Sequence, residues 1–286
     1  MKKVNRNRAM TMLMLSPSML IMCALLFVPM IIVVGYSFSH VDSYGNVASG
    51  FTVENYQNLL QSIYRPIVWH SLELAFGTTI LSLVLAYPVA YFIAFRSGKA
   101  APALLLLILI PFWTNFLIRI SAWIVLFGRA GQINSLAMMF GLFDEPVQIL
   151  GTFWAVQVGM LYAFLPAAVF PIYAALQPMD RRLHEAANDL GAGPINTFTR
   201  ITLPLSLPGV MAAALFVFVP SMGAFAVPTL LGGGKQLIIG NLIVQLFLDF
   251  RNIPFGSAVS VVFLFVASIV VTLYMKVLGR VERNLA

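Results

Sequence analysis

The residues able to do chemistry in this chain are few and far apart. His40, His70 and His184 are its three histidines, and each falls in a different stretch between or beside apolar runs. No Ser/His/Asp set, no metal-spaced His/Asp cluster and no cofactor motif accompanies them. The single cysteine, Cys23, lies inside an apolar run, so a disulfide framework and a Cys-based metal site are both excluded. Met22 before it is not the small residue that a lipoprotein cleavage site wants. The stretch "GGGK" at 232–235 invites comparison with a phosphate-binding loop. That loop needs glycine five residues before its last glycine and a hydroxyl after the lysine. Thr229 and Gln236 stand there, so the chain does not hydrolyse ATP by that route. What remains is Glu73, Arg119 and Asp249, in or beside apolar sequence, and one compact polar segment, "HEAANDLGAGPINTFTRITLP", at 184–204.

The elements that must position these residues follow from composition. The 286 residues are 60% hydrophobic and 9% charged, whereas a soluble domain carries about a quarter charged residues. A bilayer core demands about 20 apolar helical residues, because hydrocarbon cannot satisfy open backbone groups. Six runs meet that demand, at about 12–38, 67–95, 101–127, 151–175, 207–231 and 256–279. The first is too long for a cleavable signal and reads as an anchor helix. Pro111, Pro166 and Pro171 are expected to kink their helices.

Lysine and arginine set the orientation. With the N-terminus inside, twelve of them fall on cytoplasmic segments and four outside: Arg65, Arg129, Lys235 and Arg251. Asp42, Glu54, Asp144, Glu145 and Asp249 also fall outside. The net charge of +7 is therefore a mark of membrane orientation rather than of nucleic-acid binding. Both termini (1–11 and 280–286) and the loop 180–204 are expected in the cytoplasm. Residues 39–66 are expected to form a small outer cap, and 232–255 a re-entrant or interfacial helix.

Within the loop, Leu183, Ala186, Ala187 and Leu190 share one face of a short helix. Asp180 is placed to cap its start and Gly191 to end it. Pro194 opens a second short helix. Periodicity alone equally describes a hairpin that merely covers the bundle's inner end.

The spacing is more specific. Glu185-Ala186-Ala187, then Gly191, then Ile201-x-Leu203-Pro204 is the pattern E-A-A-x3-G-x9-I-x-L-P. It resembles the "EAA loop" of permease subunits in binding-protein-dependent ABC importers, at the family's position before the penultimate span. The resemblance implies an all-α membrane protein with the type I importer permease fold: six transmembrane helices and a cytoplasmic coupling helix. In that family the loop docks on a separate ATPase. Glu185 would be a polar contact, with Ala186, Ala187 and Gly191 as the packing surface. Leu203 and Pro204, with Ile201, would fix the link to the fifth helix.

A second likeness runs along most of the chain. "PFWTNFLIRI" at 111–120, "MGAFAVPTLLGG" at 222–233, "IIGNLI" at 238–243 and "PFGSA" at 254–258 resemble segments of spermidine/putrescine importer permeases. Ferric-iron, opine and phosphonate permeases are relatives. A polycation crossing a bilayer needs acceptors and aromatic faces, because bare ammonium groups in hydrocarbon are costly. Glu73, Trp113, Asn115, Tyr162, Phe225 and Asp249 are the candidates for that path, although each also fits ordinary packing or snorkelling. Arg119 does not suit a cation path, and a structural or docking role is expected for it. Were it to face the cavity, an anionic solute would be implied. The resemblance further implies an ATPase dimer that holds ATP and Mg, a second and related permease, and an external or periplasmic binding protein. The chain itself would be no enzyme, hold no cofactor and sit in a bacterial inner membrane.

Overall fold

The computed structural model describes residues 2–42, 47, 48, 50–180 and 182–285. Helix α1, Lys2–Ser37, leads into two short antiparallel strands, β1 (His40–Val41) and β2 (Val47–Ala48), with His40 opposite Ala48. Next come α2 (Glu54–Leu59), α3 (Arg65–Phe95), α4 (Ala101–Leu109), α5 (Phe116–Phe127), α6 (Gln132–Met139) and α7 (Phe153–Leu176). The second half holds α8 (Arg182–Asp189), α9 (Pro194–Thr197), α10 (Leu203–Met222), α11 (Ala226–Leu231), α12 (Ile239–Leu248) and α13 (Ile253–Leu285). Among the described residues, six helical stretches are long and apolar enough to cross a membrane: 15–37, 65–95, 116–139, 153–176, 194–222 and 253–280.

Two spans differ from the sequence expectation. The run 101–127 is not one kinked helix. Leu109 passes into a tight turn at Ile110–Trp113, and Thr114 is extended (ψ 154°) before α5 begins. Pro111 has no N–H to continue the ladder, and Asn115 offers a better start, its Oδ1 accepting from Leu117 N (2.8 Å) and Ile118 N (3.4 Å). The run 207–231 is likewise divided. Helix α10 stops at Gly223, and α11 is a separate short helix.

Compactness divides the chain into residues 1–61 with 243–265, and residues 62–242 with 266–286. In the first unit the C-terminal end of α1 is sealed by the segment that follows it. Asn55 Nδ2 donates to the carbonyls of Ser37 (3.0 Å) and Ser39 (2.9 Å), and Tyr56 OH meets Ser37 Oγ at 2.7 Å. Phe38 stacks on Phe51 at 4.9 Å. Farther along, Gly256 packs against Leu246 and Phe247.

The second unit is built on α3, α7 and α10, which pack on one another. Lipid gives no hydrophobic drive between helices, so close approach of small residues has to supply the contact. Ala86, Ala90, Ala168 and Ala213 accordingly sit fully buried with Val169, Ile172, Leu176 and Val217. At Gly209 a Cβ would come within 2.6 Å of the Pro171 carbonyl oxygen, and at Gly159 within 2.8 Å of Val227 Cγ1. A polar bond joins α7 to α3 within this core, from Gln157 Nε2 to Thr78 Oγ1 at 3.1 Å.

Candidate functional site

The polar loop is ordered by local chemistry at each end. Asp180 Oδ1 accepts from Arg182 N at 2.9 Å, supplying a side-chain acceptor to the open amides at the start of α8. Residue 181, between them, lies outside the described residues. At the other end Gly191 N donates to Asn188 O and Ala192 N to Ala187 O, both at 2.9 Å. This paired closure needs a left-handed residue, and Gly191 has φ +78°. A side chain there would meet no atom but would strain the backbone.

The expected apolar face of α8 is split by its surroundings. Ala187 is 6% exposed, while Leu183 is 42% and Leu190 89% exposed, and Ala186 is exposed as well. Ala187 therefore packs on its own chain instead of contributing to an outward surface. Glu185 is exposed and makes no ion pair among the described residues. The inward face of α8 is completed by His184, which sequence reasoning passed over. Its Nε2 lies 3.0 Å from Thr202 Oγ1 and its ring centroid 5.0 Å from that of Phe95. The clue was available, because His184 precedes Ala187 by three residues on the same helical face.

The second short helix is not a separate element. From Pro194 the chain turns continuously into α10 through a widened, π-helical turn at Phe198–Thr202, in which Leu203 N donates to Phe198 O five residues back. Pro204 would crowd the Arg200 carbonyl in a regular α-turn, and widening relieves that clash. Ile201, Leu203 and Pro204, all half-buried, occupy this junction. Tyr87 of α3 braces it, its hydroxyl 2.8 Å from Ser206 Oγ and its ring edge-on to Phe198.

Arg119 is placed at the break in the third span. Its Nη1 donates to the Pro111 carbonyl at 2.8 Å, and its guanidinium carbon lies 4.2 Å from the Phe112 ring centre. Phe116 (5.7 Å) and Tyr162 (5.8 Å) complete a cage of aromatic faces. No carboxylate pairs with it among the described residues. One bond and three rings thus hold a cation beside a backbone opening.

Each path candidate has its own local setting. Trp113 is 75% exposed and Asn115 spends its acceptor on the start of α5. Tyr162 joins Arg119, Phe112 and Trp123. The carboxylate of Glu73 lies 3.6 Å from His70 Nδ1 on the same exposed helical face. The Phe225 carbonyl is bonded by Thr229 Oγ1 (2.7 Å) and Asn241 Nδ2 (3.3 Å). Asp249 is exposed and belongs to the other compact unit. Two cavities, of about 220 and 250 Å³, are lined by other residues: Phe127, Arg129 and Gln148 to Leu150 in one, and an apolar set around Phe76 and Phe218 in the other.

Comparison with known proteins places these features. Residues 86–283 match the model of the binding-protein-dependent transport system inner membrane component. The chain is 40% identical over 250 residues to the spermidine/putrescine transport system permease protein PotB of Escherichia coli (strain K12), covering 87% of this chain and 91% of that one. It is 43% identical over 234 residues to the protein of the same name in Haemophilus influenzae, covering 82% of each. The molybdenum transport system permease protein ModB of Azotobacter vinelandii is 30% identical over 188 residues, 66% of this chain and 81% of ModB. In fold, a chain of the bacterial ABC transporter involved in import of the acidic polysaccharide alginate superposes with a TM-score of 0.81 at 18% identity, covering 98% of both chains. The polar loop, the broken third span and the close-packed α3, α7 and α10 are thus features of a chain that belongs to the family of inner membrane components of binding-protein-dependent transport systems.

Proposed function

We propose that this permease carries polyamines of the spermidine/putrescine class inward as one half of an ABC importer. The observation that carries the substrate is the 40% identity, along 87% of the chain, to permeases named for spermidine and putrescine. The setting of Arg119 supports it. The guanidinium donates to a backbone carbonyl and lies over aromatic faces, which suits the structural role that a cation path requires of it.

In this reading α8 docks on a partner ATPase through Glu185 and the exposed Leu183, Ala186 and Leu190. One loop serves one ATPase, so an ATPase dimer calls for a second permease, a related chain. ATP and Mg are held by the ATPases and not by this chain. Nucleotide binding shifts the coupling helices and opens the cavity to an external binding protein, and hydrolysis resets it. The energy comes from differential binding to the two states. Glu73, Trp113, Asn115, Tyr162, Phe225 and Asp249 remain the candidate contacts along the path, with both termini and the loop cytoplasmic and the spans in the lipid bilayer.

The test is a mild-detergent pull-down from native cells, wild type beside Glu185→Arg, with the ligand of the co-purifying binding protein identified. An ATPase and a second permease are expected with wild type, less ATPase with the variant, and a polyamine in the binding protein. An anionic ligand there would overturn the substrate. An undiminished ATPase in the variant would overturn the docking surface.

A further inference from the structure

The loop poses a mechanical question. If α8 is pushed by a partner, the push has to reach a membrane helix. The covalent route from α8 to α10 runs through Gly191-Ala192-Gly193. A Cβ at Gly191 or Gly193 would touch nothing within 4 Å, so neither glycine flanking Ala192 is braced by a neighbouring element. A soft turn absorbs displacement.

A second route bypasses it. His184 projects from the inward face of α8 and touches two membrane helices at once. Its Nε2 meets Thr202 Oγ1, which is 1% exposed at the last residue of the widened turn before α10. Its ring rests on Phe95, the last residue of α3. Nδ1 is buried and has no hydrogen-bond partner. An unpaired N–H there would cost more than a bare lone pair, so the proton belongs on Nε2, donating to Thr202. The bridge is short and enclosed, whereas the turn is open.

We infer that His184 is a positioning residue for transport, the strut through which motion of α8 reaches the head of α10 and the end of α3. The inference rests on the reading that α8 docks the ATPase, and it adds where the motion goes next.

The test uses the assembled importer, purified from its native cells and reconstituted in liposomes, with radiolabelled spermidine as the transported probe. His184→Ala is expected to retain its ATPase subunits and basal ATP hydrolysis. Spermidine moved per ATP should fall at least fivefold, and stimulation of hydrolysis by the loaded binding protein should be lost. His184→Gln, which can still donate to Thr202, should recover much of both. Thr202→Val should imitate His184→Ala, and the double variant should be no worse than either. A merely structural role would lower hydrolysis and transport together, leaving their ratio unchanged. An unchanged ratio in intact His184→Ala complex overturns the strut. Should that variant fail to assemble, Thr202→Val decides alone, and a normal ratio there overturns it as well. The docking reading fails separately, if Glu185→Arg keeps its ATPase. If wild type does not carry spermidine, the substrate reading falls, and the strut is judged by stimulation of hydrolysis alone.

Discussion

Two places in this chain depart from regular helix next to a proline, and they are handled in opposite ways. At Pro111 the third span is cut. Thr114 swings to extended backbone, and side chains repair the opening: Asn115 caps the new helix and Arg119 covers a carbonyl of the old one. At Pro204 the helix is kept whole by widening the turn before it. A cut needs polar side chains, because open backbone in an apolar setting costs several kcal/mol per group. A widened turn keeps the helix continuous, with Leu203 N still donating to Phe198 O. The second solution lies where the polar loop joins α10. The first lies where a span can bend.

The comparison can be broken at four points. The largest effect is expected from deleting Thr199, which removes the extra residue of the widened turn and rotates everything upstream by about 100°. Transport should fall more than tenfold in cells while membrane insertion, followed by protease protection, is kept. Arg119→Leu should come next. It leaves the Pro111 carbonyl with only the Thr114 Oγ1 bond (2.7 Å) and removes the cation from its rings, so thermal stability of the purified complex should drop by about 1.5–3 kcal/mol, the range for a hydrogen bond to a charged group. Asn115→Ala removes only the cap and should cost about 1 kcal/mol in the same assay. If Asn115→Ala proved as damaging as Arg119→Leu, the cap and not the arginine would be the main repair. The smallest effect on stability belongs to Leu190→Ser, within about 0.5 kcal/mol because the side chain is already exposed. It should nonetheless weaken ATPase association in a pull-down, which would separate the outward face of α8 from its fold.

How much of this was legible in the sequence depended on the kind of constraint. Membrane spans are read from length because hydrocarbon forces every backbone group into a helix. The loop was read from Asp180 and Gly191, whose roles are local. The cut at Thr114 was hidden, since a proline in an apolar run fits both a kink and a break. The partner of Arg119 was hidden too: it is a backbone carbonyl eight residues earlier, and carbonyls leave no letter in a sequence. Periodicity placed Ala187 and Leu190 on one face of α8 but could not say which would be covered by the chain itself. That required the tertiary surroundings of the inward face, where the adjacent His184 meets Thr202 and Phe95, residues far apart in sequence.

The close contacts at Gly159 and Gly209 bear on how such a protein can drift. Every one of the other amino acids carries a Cβ, and at Gly209 that atom would run into the Pro171 carbonyl, which is backbone and cannot choose another rotamer. A compensating change elsewhere in a side chain cannot make that room. The lipid-facing surface of the bundle can exchange one apolar letter for another through many neutral steps, whereas at position 209 no single-step replacement is free. Mutational libraries of this permease should therefore show a sharply uneven tolerance, broad along the outward faces of α3 and α10 and nearly closed where α10 crosses α7.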